Sequence, residues 1–149
     1  MNTTTVGVDL AKNVFVACVA DGMGRVIETR EFNRGGFVAW LSTLPHGTLV
    51  GMEAWGGAHC WGRTMQALGL EPRLMAAEFV RPYRKRQAVK NDRADAIAIV
   101  AALLAPGMRF IPVKTEAQQQ RLAWHSPFHY THLIARRTLW RDAGRRRSR

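Results

Sequence analysis

Apolar positions fall into short β-branched runs in the first third of the chain and widen to threes and fours after it. Residues 4–9, 14–20 and 25–32 are predicted strands. Lys12-Asn13 and Asp21-Gly22-Met23-Gly24 supply the turn chemistry between them. Such short links make the three strands antiparallel neighbours. Residues 36–44 place Phe37, Trp40, Leu41 and Leu44 at helical spacing, and Pro45 stops the run. A fourth strand, residues 48–52, is apolar on both faces, which suits a central strand covered on each side.

A helix from about Ala58 to Leu68 is expected next, closed by Gly69, and then a short strand over residues 70–75. The connection Phe79-Val80-Arg81-Pro82-Tyr83-Arg84-Lys85-Arg86 is basic and aromatic. A helix follows from Asp92 to about Leu104, with Ile97, Val100, Ala101 and Leu104 expected on its inner face and Pro106-Gly107 at its end. Beyond Lys114 the pattern weakens. Residues 124–130 show neither period, and the Arg-rich end reads as an unstructured tail. This order predicts an α/β, ribonuclease-H-like (resolvase-like) mixed sheet with an antiparallel three-stranded start and flanking helices.

At 149 residues the chain has room for one domain with a proper core. The formal charge of +11 changes the picture only once it is located. Residues 121–149 hold eight arginines against one acid, Asp142, so most of the excess lies in the tail and the rest is mildly basic. A block of like charge is either a solvated tail or a nucleic-acid contact. Cys18 and Cys60 are too few for a disulfide framework or a zinc site, and both suit a reducing cytosol. No signal peptide or bilayer-length apolar run is visible, so a cytoplasmic protein is expected.

Four acids carry the candidate chemistry. Asp9 ends the first strand, Glu53 ends the fourth, and Asp92 and Asp95 open the late helix three residues apart. Two divalent ions about 4 Å apart clamp the attacking and leaving oxygens of a phosphate, and they prefer hard oxygen ligands. Gly7, two residues before Asp9, is expected to leave open space for metals and a phosphate. Each acid also has a plainer reading: a turn acid at Asp9, a water-facing loop acid at Glu53, and first-turn or cap residues at Asp92 and Asp95. Their joint placement on strand one, strand four and a late helix is more specific. Lys12, Arg81, Tyr83, Arg84, Lys85, Arg86 and Lys90 are the candidate nucleic-acid contacts, with cations to track phosphates and an aromatic ring to stack on bases.

The stretches VGVDLAKNVF (6–15), GMEAWGGAHCWGR (51–63), EFVRPYRKRQ (78–87) and KNDRADAIAI (90–99) resemble the N-terminal domain of the DEDD transposases of insertion sequences, the IS-one-ten type. They cover roughly residues 4 to 115. The resemblance implies a Holliday-junction-resolvase-like fold and an acidic tetrad, Asp9, Glu53, Asp92 and Asp95, that binds Mg²⁺ (or Mn²⁺) for DNA strand cleavage and exchange. It further implies DNA as partner, an element-encoded guide RNA, and a homo-oligomer in the full-length family.

Two departures qualify that likeness. Family members carry a C-terminal domain with a nucleophilic serine, and Ser42, Ser126 and Ser148 lie outside the matching motifs. Pro127 would break the long helix in which the family domain continues. The expected organisation is therefore a ribonuclease-H-like DEDD domain over residues 1–115 and a basic tail over 116–149. That tail suggests a truncated or frameshifted product, inactive alone. Two other functions are compatible with the same residues: a stand-alone resolvase-like or ribonuclease-H-like nuclease, and a non-catalytic nucleic-acid-binding fragment driven by the arginine tail.

Overall fold

Alternation along the first strand sorts its side chains onto two sheet faces, and the two faces are covered by different helices. The computed structural model describes residues 4–11, 13–84 and 92–125, the last three by backbone alone. Lys12, Lys85, Arg86, Lys90 and the arginine-rich stretch after residue 125 lie outside the described residues. The strands are β1 (Thr5–Leu10), β2 (Phe15–Ala20), β3 (Val26–Phe32), β4 (Leu49–Glu53) and β5 (Glu71–Met75). The helices are α1 (Arg34–Leu41), α2 (Ala58–Ala67), α3 (Ala77–Val80), α4 (Asp92–Leu103) and α5 (Glu116–His125), with a 3-10 turn at Arg81–Tyr83.

The sheet runs β3-β2-β1-β4-β5. The first three strands pair antiparallel, as their short links require, while β4 joins β1 and β5 in parallel. One face carries Val6, Val8, Phe15, Ala17, Val19, Val50, Met52 and Leu74, all buried against Phe37 and Leu41 of α1 and Ala58, Trp61 and Met65 of α2. Phe15, Phe37 and Trp61 meet edge to face with centroids 5.2 Å apart. Gly69 closes α2 at φ +74°, and its successor Leu70 donates back to the Met65 carbonyl, as the glycine stop predicts.

The opposite face is built to receive α4 closely. Gly7 pairs with Cys18 on one side and Gly51 on the other, giving a row of small residues across the central strands. A Cβ on Gly7 would lie 2.5 Å from the Ala96 carbonyl oxygen, and one on Gly51 would lie 2.8 Å from Leu103 Cδ2. The expected open space beside Asp9 is thus filled by helix backbone.

This seat also corrects the predicted face of α4. Ala96, Ala98, Ile99, Val100, Ala102 and Leu103 are buried, whereas Ile97, Ala101 and Leu104 are exposed; of the expected inner set only Val100 is inside. The helix is apolar nearly all round, so periodicity alone could not choose a side. The glycine row chose it, because alanines permit the closest backbone approach.

Cys18 packs in this layer beside Val16, Ala20, Ala96 and Val100. Burial pushes its thiol up, opposed by a hydrogen bond with the Thr29 side chain, while Cys60 is exposed on α2. A maleimide reagent is therefore expected to label Cys60 in the native protein and Cys18 only after unfolding, since the thiolate is the reactive form. Equal native labelling rates would contradict this packing.

Beyond α4 the chain turns at Gly107, and the Ile111 N–H donates to the Leu74 carbonyl at 2.8 Å. The chain divides between Val113 and Lys114 into two units. The second contains α5, where no helix was expected. Its start carries a reciprocal cap: Gln118 Oε1 accepts from the Thr115 N–H at 2.9 Å, and Thr115 Oγ1 accepts from the Gln118 N–H at 3.2 Å. Thr-x-x-Gln is the sequence form of that cap, and it was legible. Among the described residues no helix is long and apolar enough to cross a membrane.

Candidate metal centre

Asp9 and Glu53 each lie one residue past Val8 and Met52, the last step at which β1 and β4 pair with each other. Paired residues in a parallel ladder face the same way, and Val8 and Met52 face α1 and α2. Asp9 and Glu53 consequently sit at the carboxyl ends of adjacent strands, on the α4 side. Ligand sites in open α/β sheets lie at such ends.

Helix α4 arrives at the same place with Asp92 and Asp95 in its first turn. Carboxylates there face the positive end of the helix dipole, and the i,i+3 spacing puts both on one side. Because Ala96 is seated on Gly7, two residues before Asp9 on the same strand face, the first turn is carried to Asp9. One carboxylate oxygen from each of Asp9, Asp92 and Asp95 lies within 4.8 Å of the other two, and all three residues are half-buried. An exposed ion pair, Arg93 Nε to Glu31 Oε1 at 3.0 Å, ties this turn to β3.

Glu53 is linked to the trio through a cation. The Arg84 guanidinium donates through Nη2 to Glu53 Oε1, and its Nε lies 3.2 Å from Asp95 Oδ1. The sequence places Arg84 among the phosphate contacts; in the structure it turns inward to two of the acids. Arg81 and Tyr83 beside it are exposed, as are Phe79 and Trp55. Trp55 follows Glu53 by two residues and lies over Gly57, where a Cβ would come within 2.2 Å of the indole ring. Sequence reasoning assigned Trp55 no role, although an exposed tryptophan beside a candidate acid is the available signal.

The donor set fits a hard divalent cation. Three carboxylate oxygens converge, and no thiolate or imidazole belongs to the group, which favours hard cations over softer metals.

Comparison with known proteins gives the chain a family. The family model described as "Transposase", of the DEDD type and the IS110 group, matches residues 6–139, continuing past the stretch that the sequence motifs cover. The chain is 44% identical over 113 residues to the transposase for insertion sequence element IS1111A of Coxiella burnetii, an alignment covering 76% of this chain and 30% of that protein. It is 37% identical over 124 residues to the transposase for insertion sequence element IS1328 of Yersinia enterocolitica, covering 83% of this chain and 36% of that protein. The chain thus spans about a third of the length of these relatives. With the mixed sheet, the acids at its strand ends and a family match over most of its length, the chain belongs to the DEDD transposase family of insertion sequences.

Proposed function

We propose that this domain carries the metal site of a transposase that cuts and exchanges DNA strands during movement of an insertion sequence. The observation that supports it most is the convergence of Asp9, Asp92 and Asp95 from two distant parts of the chain. Glu53 completes the acid set from the neighbouring strand end, and the ion is Mg²⁺ or Mn²⁺. When bound there, a divalent cation polarises the phosphate and stabilises the attacking and leaving oxygens.

The chain's own residues hold the ion and place the strand. Asp9 and Glu53 are fixed by the sheet, whereas Asp92 and Asp95 are fixed by the docking of α4. Arg81 and Lys12, with Lys85, Arg86 and Lys90, track the phosphate backbone, while Tyr83 offers a face for base stacking. A guide RNA encoded by the element and a homo-oligomer belong to the same reading, by likeness to the family.

The test uses the chain as it stands. It is expected to take up Mn²⁺ in calorimetry and to bind duplex DNA more tightly in Ca²⁺ than in EDTA. A chain that takes up no Mn²⁺ under conditions where its melting transition is intact would remove this function.

A further inference from the structure

The Arg84 side chain touches acids from two different elements of the site. Its guanidinium contacts Oε1 of Glu53, at the end of β4, and Oδ1 of Asp95, in the first turn of α4. These oxygens carry the lone pairs that a divalent ion spanning Glu53 and Asp95 would need. A guanidinium has donors only, in a planar fork matched to carboxylates. It therefore serves the same acceptors as a metal, with less charge.

Its seat is incomplete. Arg84 Nε is buried without a hydrogen-bond partner although Asp95 Oδ1 lies 3.2 Å away, so charge attraction holds that contact without hydrogen-bond geometry. The side chain as a whole keeps 35% exposure. A buried donor that misses its acceptor is costly, and leaving the site would relieve it.

We infer that Arg84 is the resident counter-ion of this acid cluster and a positioning residue for metal loading: it holds Glu53 and Asp95 together in the metal-free protein and is displaced when a divalent ion takes their oxygens. The inference rests on the proposed metal site. A purely structural clamp makes the opposite forecast, because losing it would disorder Glu53 and weaken metal binding.

The sign of one change decides between them. Mn²⁺ binding is measured by calorimetry for wild type, Arg84→Gln and Arg84→Lys, with Asp9→Asn as control, and each is melted in EDTA and in Mn²⁺. Arg84→Gln is expected to bind Mn²⁺ about tenfold more tightly, since a competing positive charge a few ångströms away is gone. It should melt lower than wild type in EDTA and gain more from Mn²⁺, with Arg84→Lys between the two. Unchanged or weaker Mn²⁺ affinity in folded Arg84→Gln overturns the inference. Mn²⁺ binding that survives Asp9→Asn removes instead the metal site on which the inference rests. Should Arg84→Gln fail to fold, the Arg84 Nε–H resonance of wild type supplies the reading: it moves on saturation with Mg²⁺, and a signal that stays in place refutes displacement.

Discussion

Replacing Gly7 with valine is expected to abolish the native packing of α4 and, with it, the acid cluster. The first atom added at this position already meets the Ala96 carbonyl oxygen at 2.5 Å, Val100 Cγ2 at 2.8 Å and the Val100 nitrogen at 2.9 Å. Two of these neighbours are backbone atoms and cannot rotate aside, so the helix itself has to move. Overpacking a well-filled core costs about 1–3 kcal/mol, and an obstacle of this kind lies at or above the upper end. For a unit of this size even about 2 kcal/mol lowers the melting temperature by roughly 8 °C or more. The displacement matters as much as the energy, since Asp92 and Asp95 travel with the helix. Gly7→Ala should show the same loss in milder form. Thermal melts with Mn²⁺ titrations are the check: a Gly7→Val protein with wild-type melting and wild-type metal affinity would mean that α4 does not rest on β1.

Removing one of the converging acids should act in the reverse manner, sparing the fold and destroying the site. Asp9→Asn and Asp92→Ala are each expected to weaken Mn²⁺ binding by about a hundredfold or more, because losing even an outer-shell partner of a metal ligand costs about 10–100-fold. Neither side chain belongs to the hydrophobic core. Three carboxylates with oxygens within 4.8 Å of one another repel when no metal is present, so removing one charge should leave the metal-free protein as stable as before or somewhat more so. Binding calorimetry and melting in EDTA separate the two effects. Unchanged metal affinity in both variants would remove the site, whereas a collapsed melting transition would make these acids structural.

The two kinds of residue were legible in the sequence to different degrees. The order of elements followed from patterning: β-branched runs with turn residues between them, a glycine stop after α2, and an apolar strand in the sheet centre. The four acids could be named from their positions at strand ends and in a first helical turn. The inner face of α4 could not be named, because Ile97 and Leu104 are as apolar as Ile99 and Leu103. Only the glycine row of β1 and β4 tells them apart, and that row exists once the two strands lie side by side. The start of α5 is legible in Thr115 and Gln118, but the residues after it show no period.

Arg84 shows the same boundary at the site. In the sequence it is one cation of a basic run, equivalent to its neighbours, and a phosphate contact is the natural reading. Its link to Glu53 and Asp95 joins residues far apart in the chain, and no local rule connects them. The sequence by itself determined the five strands and the helices α1, α2 and α4, where the acids sit along them, and the family to which the chain is similar. The tertiary structure alone decided that Gly7 is a seat for a helix, which side of α4 is buried, and that a guanidinium lies between two of the acids. The reason is physical. Periodicity and capping act over a few neighbouring residues, whereas close backbone approach and charge pairing depend on distances that exist only after the sheet has assembled.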